Sequence, residues 1–518
     1  MKGEGRHQAG SARVIARNVV YNFLSQIGLL LFTLAATPYI VRSLGDDAYG
    51  VLSIATTVIG LLEFLDLGLS TAVEKFVAQY EAQDRYADMG KLVGTALVMN
   101  LVMGLVGASI IGALSALLVV RVFNIPIQLQ ETARIVLTIT GLRFFLRMPR
   151  IVFQAIPRAL QRFDLFNLVN TLSQFAQTGM TIALLIAGFF LVEIALLQVV
   201  VGLATTLAYV VFSWRMLPMV DLRPAFDRQT ARSLLRYGAP VSFGKLAVGI
   251  ATRLDTLLLA FYLPVSSVTY YAVAFSVASK LYLIPWNVVP ATFPALSALQ
   301  SQGNTDEVSE VYVRSTKYVA IATIPLAVLL IVLSEDILRL WLGAPFDVRS
   351  AWALRGLALA IAAHCLGHPA VAAANGLGHT VIPATVNTLQ AVLSVSLYLI
   401  LIPRFGLNGA ALGWLVPQVL LSPTLIYLVN RYVTNVSTRL VAARALLKPV
   451  LLALALGVLT WVSRPHIVGF LSLALVVGLG TGLYTISAYL LATDVRERRF
   501  LQRWMMSALA RCHLVIDG

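Results

Sequence analysis

Apolar residues fill long blocks along almost the whole chain, separated by short polar connections. The blocks run over 18–41, 48–71, 92–120, 133–156, 165–188, 191–214, 237–261, 266–296, 313–333, 351–375, 380–402, 408–430, 446–462 and 467–492. A helix needs about 20 apolar residues to cross a bilayer. The pattern therefore predicts an all-α polytopic membrane protein with about fourteen transmembrane helices. The longest strongly polar connection, "RMLPMVDLRPAFDRQTARSLLRY", follows the sixth block. It reads as a linker with a short helix on the membrane surface. The expected organisation is an N-lobe over 1–214, a linker over 215–236, a C-lobe over 237–430, two additional helices over 431–492 and a tail over 493–518.

The two lobes resemble each other faintly. "VNTL" at 169–172 recurs at 386–389, and Tyr49 and Gln79 recur as Tyr270 and Gln300. Six helices per repeat is an even number, so the repeats insert in the same orientation, with a binding cavity expected between them.

Composition agrees with this reading. Of 518 residues 58% are hydrophobic and 12% charged, against roughly 25% charged in soluble domains. A soluble helical core would need more charge to cover its surface. The net charge of +15 is unevenly spread. Arg215, Arg223, Arg228, Arg232 and Arg236 crowd one connection, with Arg431, Arg439, Arg444 and Lys448 in another and Arg496, Arg498, Arg499 and Arg503 in the tail. The bias puts both termini in the cytoplasm and implies contact with anionic membrane lipids rather than nucleic acid. The basic opening "MKGEGRHQAGSARVIAR" with a full-length block after it does not read as a cleavable signal. Cys365 and Cys512 suggest neither a disulfide nor a metal site.

Polar residues at helical spacing mark the faces turned away from lipid. The first block carries Asn22 and Gln26, the fifth Asn170 and Gln174, the eleventh Asn387 and Gln390. Ser, Thr and Asn also glue helices together, but Asn and Gln sustained over three turns suit a wet cavity that bonds sugar hydroxyls. In "GLRFFLRMPRIVF", Arg143, Arg147 and Arg150 are spaced i, i+4, i+7 and share one face. Arg150 lies nearer the block's end, where an arginine commonly extends to the membrane surface. Lys245, Arg253 and Lys280 are further cations at membrane depth, against the acids Glu63, Asp66 and Asp255. Arg253 and Asp255 are close enough in sequence to neutralise each other in part. The excess positive charge calls for a visiting anion. Arginine forks fit phosphate oxygens and lysine adds a point charge, so the expected substrate bears phosphate and sugar.

"TPYIVRSLGDDAYGVLSIATTVIGLLEFLDLGLSTAVEKFVAQY" at 37–80, "ALQRFDLFNLVN" at 159–170 and "LILIPRFGLNGAALGWLV" at 399–416 together resemble the polysaccharide and O-antigen flippases. These belong to the multidrug/oligosaccharidyl-lipid/polysaccharide exporter superfamily. The resemblance implies a two-lobed transporter of alternating access in the bacterial inner membrane. It would flip a polyprenyl-pyrophosphate-linked oligosaccharide from the cytoplasmic to the outer leaflet for surface polysaccharide biosynthesis. Polysaccharide polymerase and assembly proteins are the partners it suggests. On this reading Arg143, Arg147, Lys245, Arg253 and Lys280 hold the pyrophosphate, and Asn22, Gln26, Asn170, Gln174, Asn387 and Gln390 the glycan. Glu63, Asp66 and Asp255 are then either ion-coupling groups or partners of nearby cations. The alternatives are a peptidoglycan-precursor flippase, which shares the carrier and two added helices, and a multidrug exporter, which would favour an acidic aromatic cavity. An enzyme would need a carboxylate or histidine constellation in a sizeable loop, and none is visible. No phosphate-binding loop is present and no cofactor is called for. His364 and His368, spaced i, i+4, lack a third ligand and read as packing residues rather than a metal site.

Overall fold

The computed structural model describes Gln26, residues 28–301, 305–343, 347–494 and 497–499. The described residues are helical almost throughout and contain no β-strand. Packing divides the chain into two compact units, Met1–Ala272 and Val273–Gly518.

The first unit contains α1 (Gly28–Leu44), α2 (Asp46–Leu61), α3 (Leu69–Glu81), α4 (Tyr86–Leu117), α5 (Ile127–Ala159), α6 (Phe163–Ile186), α7 (Leu191–Met216), α8 (Arg228–Tyr262) and the start of α9 (Val265–Ala278). The second runs through α10 (Leu283–Ser301), α11 (Thr305–Val332), α12 (Ser334–Leu342), α13 (Val348–Gly376), α14 (Val381–Phe405), α15 (Leu407–Tyr432), α16 (Thr438–Val441), α17 (Leu447–Ser463) and α18 (Phe470–Leu491). The unit boundary falls beyond the polar linker because α8 packs on α2, α3 and α4.

Among the described residues ten helical stretches are long and apolar enough to cross a membrane. The expected count of fourteen is not established. α1 is too short as described, and α5, α6 and α8 are not among the ten. The last three carry the arginine stripe, the amide stripe and the Arg253–Asp255 segment, and these polar residues lower their hydropathy. The second and eighth blocks are not continuous helices. A 3₁₀ turn at Leu62–Asp66 separates α2 from α3, and another at Ser279–Tyr282 separates α9 from α10.

Bilayer solvation inverts the usual surface. Leu451, Leu454, Val458 and Trp461 on α17, and Leu471, Leu475, Leu479 and Leu483 on α18, are exposed at helical spacing. Lipid is as apolar as these side chains, so close packing and internal polar contacts must hold the helices together. In the first unit Gly104 and Gly107 of α4 let α5 approach. A Cβ at Gly107 would fall inside the Phe144 ring, and one at Gly104 would crowd Met148. In the second, Gly413 of α15 makes the same room for Tyr398 of α14. α17 and α18 dock through Leu456, Tyr484 and Ala488 on Leu329 of α11 and on Leu333, which caps α12.

An ion cluster fastens the segment after α18. Lys317 Nζ of α11 lies 2.6 Å from Glu497 Oε2, with both side chains nearly fully buried. Tyr318 donates its hydroxyl to Glu497 Oε1 at 3.2 Å, and Asp494 is 3.6 Å from Lys317. A buried pair contributes little net stability, but breaking one side leaves an uncompensated charge and costs about 3–5 kcal/mol. Glu497→Gln should therefore lower the thermal midpoint of detergent-purified protein by several degrees. Lys317→Met combined with Glu497→Gln should recover much of that stability. An additive or larger destabilisation in the double variant would show that the charges do not act as a pair.

Candidate functional site

The three arginines of α5 are placed by the opposite side of the same helix. Phe144, Met148 and Val152 are buried and repeat every four residues, so α5 seats this edge against α4. Arg143, Arg147 and Arg150 are thereby turned toward α6 and α7. There they line a cavity of about 260 Å³ with Asn170, Gln174 and Gln177 of α6. The cation stripe and the amide stripe, read separately from the sequence, thus meet in one place. α7 closes the cavity with Gln198, Gly202 and Thr205.

Each arginine is held differently. Arg143 Nη1 donates to Gln198 Oε1 at 2.6 Å, a neutral acceptor that leaves the charge uncompensated. Arg147 Nη2 donates to Glu63 Oε1 at 2.6 Å, and the Glu63 side chain is 46% exposed. This carboxylate comes from the 3₁₀ turn at Leu62–Asp66, which carries it to the side of α5. Arg150 lines the cavity, and its Nε is buried without a hydrogen-bond partner. Pro149 lies inside α5 beside it, and a proline there removes one backbone hydrogen bond. The wall is otherwise tied internally. Gln154 donates to Asn170 Oδ1 at 3.3 Å, and Ser173 and Thr205 hydroxyls share a hydrogen bond of 2.7 Å.

The remaining residues singled out in the sequence lie elsewhere. Asn22 and the Lys245 side chain fall outside the described residues. Gln26 is exposed and does not line the cavity. Arg253, half-buried in α8, lies against Gly60 of α2. Asp255 is not its ion-pair partner among the described residues. The buried Asp255 carboxylate accepts from Tyr271 Oη at 2.6 Å and from the Thr256 backbone N–H at 2.6 Å. Asp66 accepts from the Ser70 hydroxyl at 2.6 Å and its backbone N–H at 3.2 Å, which caps α3. The chain turns into that cap through Leu67 and Gly68, both at positive φ.

Lys280, half-buried, belongs to the second unit, as do Asn387 and Gln390. Gln390 is 4% exposed and donates to Gln418 Oε1 at 3.2 Å. His364 Nδ1 lies 3.0 Å from the same oxygen. His364 and His368 pack edge to face, 4.9 Å between ring centres. No group of three metal-ligating side chains occurs among the described residues.

Residues 40–350 match the family of polysaccharide biosynthesis proteins. The chain is 22% identical over 414 residues to a putative O-antigen transporter of Shigella flexneri, covering 78% of this chain and 95% of that one. It is 24% identical over 417 residues to a probable low-salt glycan biosynthesis flippase, Agl15, of Haloferax volcanii, covering 77% and 80%. In fold it is similar to the lipid II flippase MurJ in an inward closed conformation, with a TM-score of 0.72 at 15% identity over 91% of this chain and 98% of that one. The match to the family spans more than half of the sequence, and the chain belongs to the polysaccharide biosynthesis protein family.

Proposed function

We propose that the protein flips a polyprenyl-pyrophosphate-linked oligosaccharide from the cytoplasmic to the outer leaflet by alternating access. The observation that carries this reading is the cavity where three arginines of one helix face the amides of the next. Guanidinium groups one turn apart repel each other, and their burial is costly unless an anion joins them. A diphosphate offers oxygens to two forks at once, at roughly the 5–6 Å spacing of neighbouring side chains on a helix face. The amides of Asn170, Gln174 and Gln177 supply donors and acceptors for hydroxyls of the adjoining sugar. At about 260 Å³ the cavity is smaller than most ligand pockets, which suits the diphosphate end rather than a whole oligosaccharide. The names of the Shigella and Haloferax relatives agree with this assignment. Arg253, Lys245 and Lys280 remain further cations for the phosphate, and Asn387 a further amide for the glycan, whereas Gln390 is enclosed by Gln418 and Ser422. The exported unit would pass to a polysaccharide polymerase and its assembly proteins. Deleting the protein should cause polyprenyl-linked oligosaccharide to accumulate on the cytoplasmic side, which analysis of carrier-linked intermediates would read.

Removing one charge-assisted hydrogen bond to the substrate should cost about 1.5–3 kcal/mol. Export complemented by variants at matched membrane abundance is the measurement. Arg147→Lys should retain part of the activity because charge remains while the fork is removed. Arg147→Ala should reduce export roughly ten- to hundredfold, and Arg143→Ala with Arg147→Ala should reduce it further. Full export by the double variant would remove the arginines from the mechanism.

Of the three acids, Glu63 is the one bonded to a cavity cation, and it competes with substrate phosphate for Arg147. Protonation of Glu63 would release Arg147 to the substrate, and ionisation would help displace it. Glu63→Gln should therefore bind carrier pyrophosphate at least as well as wild type, while export becomes insensitive to an imposed proton gradient. Asp66→Asn and Asp255→Asn should instead reduce thermal stability. An unchanged gradient response in Glu63→Gln would rule out this coupling role.

The charge asymmetry supports a place in the bacterial inner membrane with both termini cytoplasmic. Ser233 and Ser437 are exposed on connections assigned to the inside, and His466 is exposed on one assigned to the outside. In a cysteine-free background, an impermeant thiol reagent added to intact cells should label His466→Cys and spare Ser233→Cys and Ser437→Cys. The reverse pattern would invert the topology.

A further inference from the structure

A second cavity, of about 610 Å³, opens in the first unit where α3 ends, α4 begins and the linker enters α8. It shares no lining residue with the arginine cavity. Phe76, Tyr80, Leu92 and Tyr237 supply apolar and aromatic surface, and Arg85, Lys91 and Arg236 supply positive charge, with Gln229, Thr230 and Ser233 beside them. The Arg85 guanidinium lies over the Tyr80 ring, 4.8 Å from its centre. The two acids present are both engaged. Asp88 is paired with Arg85 at 2.8 Å, and Asp227 accepts from the Thr230 hydroxyl at 2.6 Å and its backbone N–H at 2.7 Å, capping α8. Lys91 and Arg236 make no hydrogen bond or ion pair among the described residues. A further cation, Lys75, caps the outer face of Tyr237 at 4.1 Å from the ring centre.

A lining that combines aromatic surface with positive charge fits an amphipathic anion. Its position, at the start of α4, which is long and apolar enough to cross a membrane, fits a ligand that arrives from the bilayer. We propose that this cavity binds the phosphate headgroup of a membrane lipid, with Lys91 and Arg236 contacting the phosphate and the aromatic wall taking the start of the lipid chain. Juxtamembrane basic groups attract anionic lipid in any membrane protein, but that attraction is diffuse. Here two unpaired cations share a recess with a fixed apolar wall, which makes specific retention the expectation. The site does not depend on the flippase assignment. Two lipids share the required chemistry, a resident anionic phospholipid and the diphosphate carrier itself.

The test uses the purified full-length protein in detergent with short-chain phosphatidylglycerol, short-chain phosphatidylcholine and polyprenyl pyrophosphate as separate probes. Binding to the folded state raises the thermal midpoint. Phosphatidylglycerol should raise it and phosphatidylcholine should not. Lys91→Gln with Arg236→Gln should shift the half-saturating phosphatidylglycerol concentration upward at least tenfold. Arg228→Gln with Arg232→Gln removes the same total charge, from α8 alone and outside the cavity lining, and should leave that concentration within twofold. Equal weakening by both pairs, or no response to phosphatidylglycerol or to polyprenyl pyrophosphate, would overturn the site. A response to polyprenyl pyrophosphate that also depends on Lys91 and Arg236 would identify the occupant as the carrier. A response to phosphatidylglycerol alone would identify a resident phospholipid.

Discussion

A guanidinium group at membrane depth has no water to solvate it, and lipid cannot substitute. It must find a carboxylate, a polar side chain or a ligand, and each choice fixes where its helix can sit. α5 is organised by this demand. One edge is apolar and is drawn onto α4, where Gly104 and Gly107 clear space for Met148 and Phe144. The neighbouring edge carries three positive charges and can only face inward, toward the amides of α6 and the Gln198 side chain of α7. The break between α2 and α3 follows from the same requirement, because the turn at Leu62–Asp66 is what brings Glu63 to Arg147. Compensation is incomplete: one carboxylate serves three arginines, and Arg150 keeps a buried donor without an acceptor. That shortfall is what an arriving anion can fill.

Elsewhere the protein meets the same demand completely, and there the result is structural. Arg464 donates to Asp336 at 2.6 Å and to Glu335 at 3.1 Å, which fastens the connection between α17 and α18 to α12. At the other end of the added helices, Lys317 and Glu497 close a buried pair. Asp66 and Asp255 are likewise satisfied by hydroxyls and backbone N–H groups. Charges that are paired and enclosed position helices, whereas charges left partly exposed or unmatched remain free to exchange partners. By that criterion Glu63 differs from the other acids the sequence singles out.

The helical blocks and the stripe on α5 are legible because lipid punishes any polar residue that faces it, so periodicity in the sequence reports the inward side. The meeting of that stripe with Asn170 and Gln174 needs three-dimensional information. Gln198 is a single amide in an otherwise apolar stretch, and an isolated residue has no period to reveal it. Arg150 lies near the end of the apolar block, so the sequence alone does not reveal that it joins Arg143 and Arg147 in the cavity lining. Gln390 shows the opposite limitation. Its spacing with Asn387 and Ser394 matches a cavity face, yet it is enclosed by Gln418 and Ser422. Interhelical glue and cavity lining produce the same pattern, and only burial separates them. The Lys317–Glu497 contact spans so many residues that neither partner hints at the other.

The two cavities of the first unit, on the proposed readings, would engage phosphate in different ways. In the arginine cavity, planar forks stand one turn apart on a rigid helix, which favours two-point capture of a single diphosphate and makes a lysine replacement costly in geometry. In the cavity at the ends of α3, α4 and α8, Lys91 and Arg236 come from different helices and both side chains are exposed. Their separation can adjust, so a range of headgroups can be accommodated at lower precision. A site that must hold a substrate and then release it is served by the first arrangement when a competing carboxylate is at hand, as Glu63 is for Arg147. In the cavity where α3 ends and α4 and α8 begin, Asp88 is paired with Arg85, and Asp227, which caps α8, is close enough to Lys91 to feel its charge. A headgroup bound there would share Lys91 with a carboxylate that the start of α8 holds in place.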